Sequence, residues 1–120
     1  MNNVGEKINF DAIVKQSRIM DPNETLAQLR GMNPVKYMCW GATGFTVDNN
    51  PAPRMLRFFV TGMKHTGHVY IFVNGADLYD VYLTTKQGTI KDKSGDMGLY
   101  FDQLTDWIDD RIEKTARHAW

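Results

Sequence analysis

His68-Val69-Tyr70-Ile71-Phe72-Val73-Asn74 holds β-branched or aromatic side chains at every position between its two polar ends. That composition belongs to a strand. Side chains alternate across a strand, so Val69, Ile71 and Val73 share one face while Tyr70 and Phe72 share the other. Both faces are apolar, and each needs a cover.

Working outward, Arg54–Thr61 (Arg-Met-Leu-Arg-Phe-Phe-Val-Thr) has the same character, and Gly62–Gly67 between the two runs reads as a hairpin loop. After Asn74-Gly75, Leu78–Thr85 reads as a further strand and Thr89–Lys91 as a short edge strand. Upstream, Val35–Ala42 with Tyr37, Met38, Cys39 and Trp40 is expected to be a strand. Gly44–Asp48 continues it, and Asn49-Asn50-Pro51-Ala52-Pro53 ends it. Sequential strands with short loops imply an antiparallel meander of about four to five strands.

Helical patterns flank this sheet. Phe10, Ile13, Val14 and Ser17 follow helical spacing, with Asn9 as N-cap and Ile8 and Ile13 as a hydrophobic staple. In Asp21-Pro22-Asn23-Glu24, Asp21 caps, Pro22 takes the first helical position and Glu24 completes a capping box. Leu26 and Leu29 form the buried stripe, and Gly31 is expected to end the helix in a left-handed conformation. A C-terminal amphipathic helix is expected from roughly Leu99 to Ala116. Tyr100, Phe101, Leu104, Trp107, Ile108 and Ile112 would lie on its apolar face, opposite Asp102, Asp106, Asp109, Asp110 and Glu113. The order implies one α+β domain over residues 1–120, with the last helix packed on the sheet. The N-terminal helices or a second subunit would cover the other face.

At 120 residues the chain has the length of one domain. Fourteen basic residues balance fourteen acidic ones, so the global field neither attracts nor mimics nucleic acid. The single cysteine, Cys39, excludes an internal disulfide, and no stretch approaches the about 20 apolar residues of a membrane span. Met1–Glu6 has no signal-peptide core, and the glycosylation sequon Asn23-Glu24-Thr25 falls at a helix start. The expected location is cytoplasmic, without a membrane role.

Catalytic and metal chemistry find little purchase. Gly41-Ala42-Thr43-Gly44 lacks the spacing of a phosphate loop and reads as a bend or bulge. Cys39 sits in an apolar run and reads as a small buried hydrophobe rather than a nucleophile. His65 and His68, even with Asp77 or Asp80, do not make up a zinc ligand set, and no cofactor is expected. Two surfaces merit weighing. The acidic set Asp102, Asp106, Asp109, Asp110 and Glu113 would face a basic partner. Arg54, Arg57, Phe59, Lys64, His65, His68, Tyr70 and Phe72, with Tyr82, Lys86, Lys91 and Lys93 nearby, would suit single-stranded nucleic acid if the rings are exposed.

Several short motifs carry a resemblance. Thr25-Leu26-Ala27-Gln28-Leu29-Arg30-Gly31 is followed by Trp40-Gly41-Ala42 and Phe45, then by Asp77-Leu78-Tyr79-Asp80 and Gly98-Leu99-Tyr100-Phe101-Asp102-Gln103-Leu104. This succession resembles a group of small bacteriophage and prophage proteins with T-L-x-Q-L-G-G, G-A, D-x-Y-D/T and G-x-Y-x-D-x-L elements. Arg30 and Met32-Asn33-Pro34 depart from that group's Gly-Gly-Asn. The resemblance implies a mobile-element origin and a shared fold, and carries no activity across. The expectation is a non-enzymatic accessory protein that binds a protein partner or itself as a homodimer, the alternative being a single-stranded nucleic-acid binder.

Overall fold

The computed structural model describes residues 3–32, 40–47, 53–62, 64–95 and 98–112. The elements run α1 (Phe10–Gln16), α2 (Pro22–Met32), β1 (Thr43–Val47), β2 (Leu56–Thr61), β3 (Thr66–Val73), β4 (Tyr79–Thr84), β5 (Ile90–Lys93) and α3 (Leu104–Ile112). The strands form one sheet in chain order, and every neighbouring pair is antiparallel. The α+β architecture with a closing helix on the sheet is therefore as the pattern implied. Cys39, Glu113 and most of the expected first strand, residues 35–39, lie outside the described residues.

β3 is central, and its register with β2 and β4 sets the two faces. Val69 lies between Phe58 and Leu83, and Ile71 between Leu56 and Val81. These residues join Leu29 of α2 and Leu104, Ile108 and Ile112 of α3 in the main core. On the opposite face Tyr70 and Phe72 pack with Val14 and Met55, and with Ile8, Phe10 and Ile13 around α1. One N-terminal helix thus covers each face: α1 the second face, α2 together with α3 the first.

Local chemistry explains the starts of the helices. The Asn9 side chain accepts from the Ala12 N–H at 3.3 Å, and Asp21 Oδ1 accepts from the Asn23 N–H at 3.0 Å. Pro22 takes the first helical position without losing a bond. Gly31 does not end α2: its φ is not positive, and the helix runs on through Met32.

Two stretches differ from their sequence pattern. Trp40 and Gly41 form a turn rather than the end of a strand, with Gly41 at φ 60°. The turn drops the Trp40 ring into the core, stacked on Phe58 with centroids 6.5 Å apart. α3 starts five residues later than its apolar pattern implied. Leu99 is held in a two-way backbone pairing with Tyr79 (2.7 and 2.8 Å), and Gly98 has φ 86°. A residue in a ladder is not helical, so the chain turns through 101–103 before α3 begins.

The β2–β3 turn meets α3 near Ile112. Lys64 donates its backbone N–H to the Ile112 carbonyl at 2.7 Å, and its Nζ to the Asp110 carbonyl at 2.7 Å. The approach needs a glycine: a Cβ on Gly62 would overlap Ile112 Cγ2 and lie 2.7 Å from the Ile112 carbonyl oxygen. Gly62→Ala should therefore cost about 1–3 kcal/mol in urea unfolding. Gly75→Ala, where a Cβ meets open space, should stay within about 0.5 kcal/mol of wild type. Equal midpoints for the two variants would show that the turn does not bear on α3.

Candidate functional site

A groove of about 360 Å³ lies between the start of α2, the β3–β4 turn and the turn before α3. Tyr79, first residue of β4, forms its floor. The Tyr79 hydroxyl donates to Gln28 Oε1 at 2.9 Å and lies 3.5 Å from Thr25 Oγ1. Burial pushes the Tyr79 phenol above its ordinary pKa; the Thr25 hydrogen bond opposes the rise and Glu24 adds to it. Tyr79 is thus a neutral donor at physiological pH.

The walls carry charge. Asp21, Glu24 and Asp77 line the groove, and Asp77 pairs with Arg18 at 3.1 Å in an exposed ion pair. Asn74 sets this turn, its Oδ1 accepting from the Ala76 and Leu78 N–H groups at 2.9 and 3.2 Å. Asp77 takes the left-handed position at φ 63°, which Asp tolerates better than bulkier residues.

The rim is apolar. Ile19, Tyr100 and Phe101 are 61%, 61% and 56% exposed. The pattern had placed Tyr100 and Phe101 on the buried face of a helix. Because α3 starts only at Leu104, both rings sit instead in the preceding turn and project outward. Gln103 holds that turn, accepting from the Tyr100 N–H through Oε1 at 3.0 Å.

The acidic set on α3 divides. Asp102, Asp106 and Asp110 are exposed, whereas Asp109 is fully buried. Asp109 Oδ1 accepts from the Trp40 indole N–H at 3.1 Å. Asp109 follows Thr105 by one turn, and Thr105 Oγ1 donates to the Leu29 carbonyl at 3.1 Å. These polar side chains face the core side of α3, so Asp109 belongs to the core and not to the solvent-facing surface.

The basic and aromatic set also divides. Tyr70 and Phe72 are buried, with Phe10 of α1 stacked 6.2 Å from Tyr70. No base reaches those two rings while α1 is in place. Arg57, Phe59 and His68 are half-buried at the other end of the same face. Arg57 lies 5.9 Å from the Tyr70 ring centroid and bonds Thr46 Oγ1 at 3.3 Å; Lys86 lies 5.8 Å from the Phe59 centroid. Lys64 and His65 belong elsewhere: with Leu83, Lys91, Asp92 and Arg111 they line a cavity of about 290 Å³ near the end of α3. Arg54 is half-buried just before β2. The eight residues therefore do not form one surface.

Among the described residues, no group of three or more His, Cys, Asp or Glu side chains could hold a metal ion. His65 and His68 lie at the start of β3, whereas Asp77 follows its far end and Asp80 pairs with Phe72. Nor is any described helix long and apolar enough to cross a membrane. No protein-family model, curated protein or solved structure matches the chain.

His65 and His68 are both held below their ordinary pKa. For His65 the causes are burial and then Lys91, opposed by the His68 backbone bond and Asp92. For His68 they are burial and then Arg57, opposed by a bond to the Lys86 backbone. A histidine depressed in the folded state binds fewer protons than in the unfolded chain. It contributes stability that is present above the unfolded value and lost as pH falls through the folded one. Unfolding free energy should therefore decline as pH drops below about 6.5. His68→Gln, at the less buried position, should flatten that decline. An identical pH profile for the variant would exclude His68 as a contributor.

Proposed function

We propose that the chain is a non-enzymatic accessory protein of phage or mobile-element type that acts in the cytoplasm by binding another protein. The groove beside Tyr79 is its docking surface. The observation that carries this reading is where exposed apolar bulk collects. Among the described residues five large hydrophobic side chains are exposed, and three of them, Ile19, Tyr100 and Phe101, rim this groove. Rings projecting beside a concave polar floor are the usual anchors of a protein interface.

The charges select the kind of partner. Asp21, Glu24 and Asp77 line the groove, with Asp102 beside Phe101. Two copies meeting through this surface would bring carboxylates against carboxylates, which opposes a symmetric homodimer here. A second protein offering a Lys or Arg beside an apolar side chain meets both features. Tyr79 and Gln28 supply hydrogen bonding at the floor.

The test uses the two rings, whose removal leaves the core untouched. Tyr100→Ala combined with Phe101→Ala should unfold at the wild-type midpoint while losing about 2 kcal/mol or more of binding free energy. The measurement is quantitative capture of partners from a bacterial host lysate on immobilised wild type and double variant, followed by titration of the captured protein. Equal capture by both would remove the groove from the interface.

A further inference from the structure

α1 covers its face of the sheet over only part of the length. Tyr70 and Phe72 are buried there, whereas Arg57, Phe59 and His68, nearer the start of β3, are half-buried and Thr46 is exposed. Thr46 pairs with Arg57, Arg57 with Tyr70, and Phe59 with His68. Side chains paired across antiparallel strands share a face, so these residues form one surface. The Phe59 and His68 rings meet edge to face with centroids 5.3 Å apart. Arg57 Nη2 donates to Thr46 Oγ1 at 3.3 Å, and Lys86 Nζ lies 5.8 Å from the Phe59 centroid. Lys7 joins from the N-terminal segment, its Nζ donating to the carbonyl of Gln87, next to Lys86, at 2.6 Å.

The cations here keep their charge. Arg57 meets a hydroxyl and the Tyr70 ring, Lys86 a ring, and Lys7 a carbonyl, and all of these partners are neutral. Among the described residues no carboxylate bonds or pairs with Arg57, Lys86 or Lys7. Glu6, beside Lys7 in the chain, accepts from the Asn3 N–H at 2.9 Å. The charge that acts on His68 is Arg57, with no carboxylate opposing it. On a chain of zero net charge, this excess is local. Cations interleaved with rings match a strand that alternates phosphates with bases. An acidic peptide would engage the cations and leave Phe59 and His68 unmatched. Stacking on a ring requires an unpaired base, which selects a single strand.

We propose that this surface binds single-stranded nucleic acid. Arg57, Lys86 and Lys7 hold phosphates, and Phe59 with His68 receives a base as the exposed Lys86 side chain leaves the ring for the backbone. The surface lies on the opposite sheet face from the groove beside Tyr79 and at the other end of β3. It stands independently of the docking reading.

The experiment is fluorescence anisotropy of a short labelled oligothymidylate titrated with the full chain over a series of salt concentrations. Three phosphate contacts give a slope of log affinity against log salt near about −2. Lys86→Gln, at an exposed position, should weaken binding several-fold and reduce the slope by about 0.7. Phe59→Leu should weaken binding about tenfold and leave the slope unchanged. Lys91→Gln, on the other side of the sheet, and Tyr100→Ala combined with Phe101→Ala should bind as wild type does. Absence of binding, a slope near zero, or an unchanged slope in Lys86→Gln would overturn the surface. So would an equal loss in Lys91→Gln. A duplex of the same length or a polyglutamate peptide competing as well as the unlabelled strand would overturn the choice of ligand.

Discussion

The structure depends on β3 being buried on both of its faces. Val69 and Ile71 are inaccessible on one side, and Tyr70 and Phe72 nearly so on the other. Each such side chain contributes about 1.5–3 kcal/mol when removed from water, so neither face can be left bare. A slip of β3 by one residue against β2 and β4 would exchange its two faces and bring His68 into the main core. The requirement for two covers then fixes the helices. α1, following the N-terminal segment, folds over Tyr70 and Phe72, while α2 and α3 share the face of Val69 and Ile71.

A sheet between helices still leaves polar groups to satisfy, and they meet along the seam of α2 and α3. Thr105 bonds the Leu29 carbonyl, Asp109 accepts from Trp40, and the Tyr79 hydroxyl reaches Gln28. These directional bonds join α2, α3, β4 and the turn at Trp40 more specifically than apolar burial alone would. The β2–β3 turn joins the seam through Lys64, which donates to the Ile112 and Asp110 carbonyls of α3. Both open features of the surface fall where this covering stops. The groove lies where α2 meets the β3–β4 turn, and the His65 cavity where the β2–β3 turn meets α3.

This division explains what the sequence disclosed and what it withheld. The α+β order, the Asn9 cap, the Pro22 start and the strand alternation are short-range properties, and residues a few positions apart determine them. The start of α3 is not. Apolar spacing from Tyr100 onward fits a helix, but Leu99 is committed to a pairing with Tyr79, twenty residues earlier. Gly98 was the available signal, since a glycine at φ 86° interrupts a helix as readily as it precedes one. From that one shift in phase come the exposure of Tyr100 and Phe101 and the rim of the groove. Asp109 was misplaced because a helical wheel counts a carboxylate as solvent-facing, whereas the Trp40 indole offers it a donor from sixty-nine residues away. Lys64 and His65 were grouped with Arg57 and His68 by proximity along the chain. The hairpin turn instead sends them toward α3 while the others stay on the opposite sheet face.

The same placement bears on whether the fold supports chemistry or binding. Catalysis needs a nucleophile or base, its orienting partner and a charge stabiliser within one cleft. Among the described residues the His65 and His68 imidazoles stand at the entry to β3, and Tyr79 with Glu24 and Asp77 stands beyond its exit. Eight residues of strand separate them by about 25 Å. The groove holds a phenol that burial keeps protonated, beside exposed carboxylates. The His65 cavity sets a histidine beside Lys64, Lys91 and Arg111. Among the described residues, the fold thus sets apolar rings beside carboxylates at one seam and an imidazole beside cations at the other.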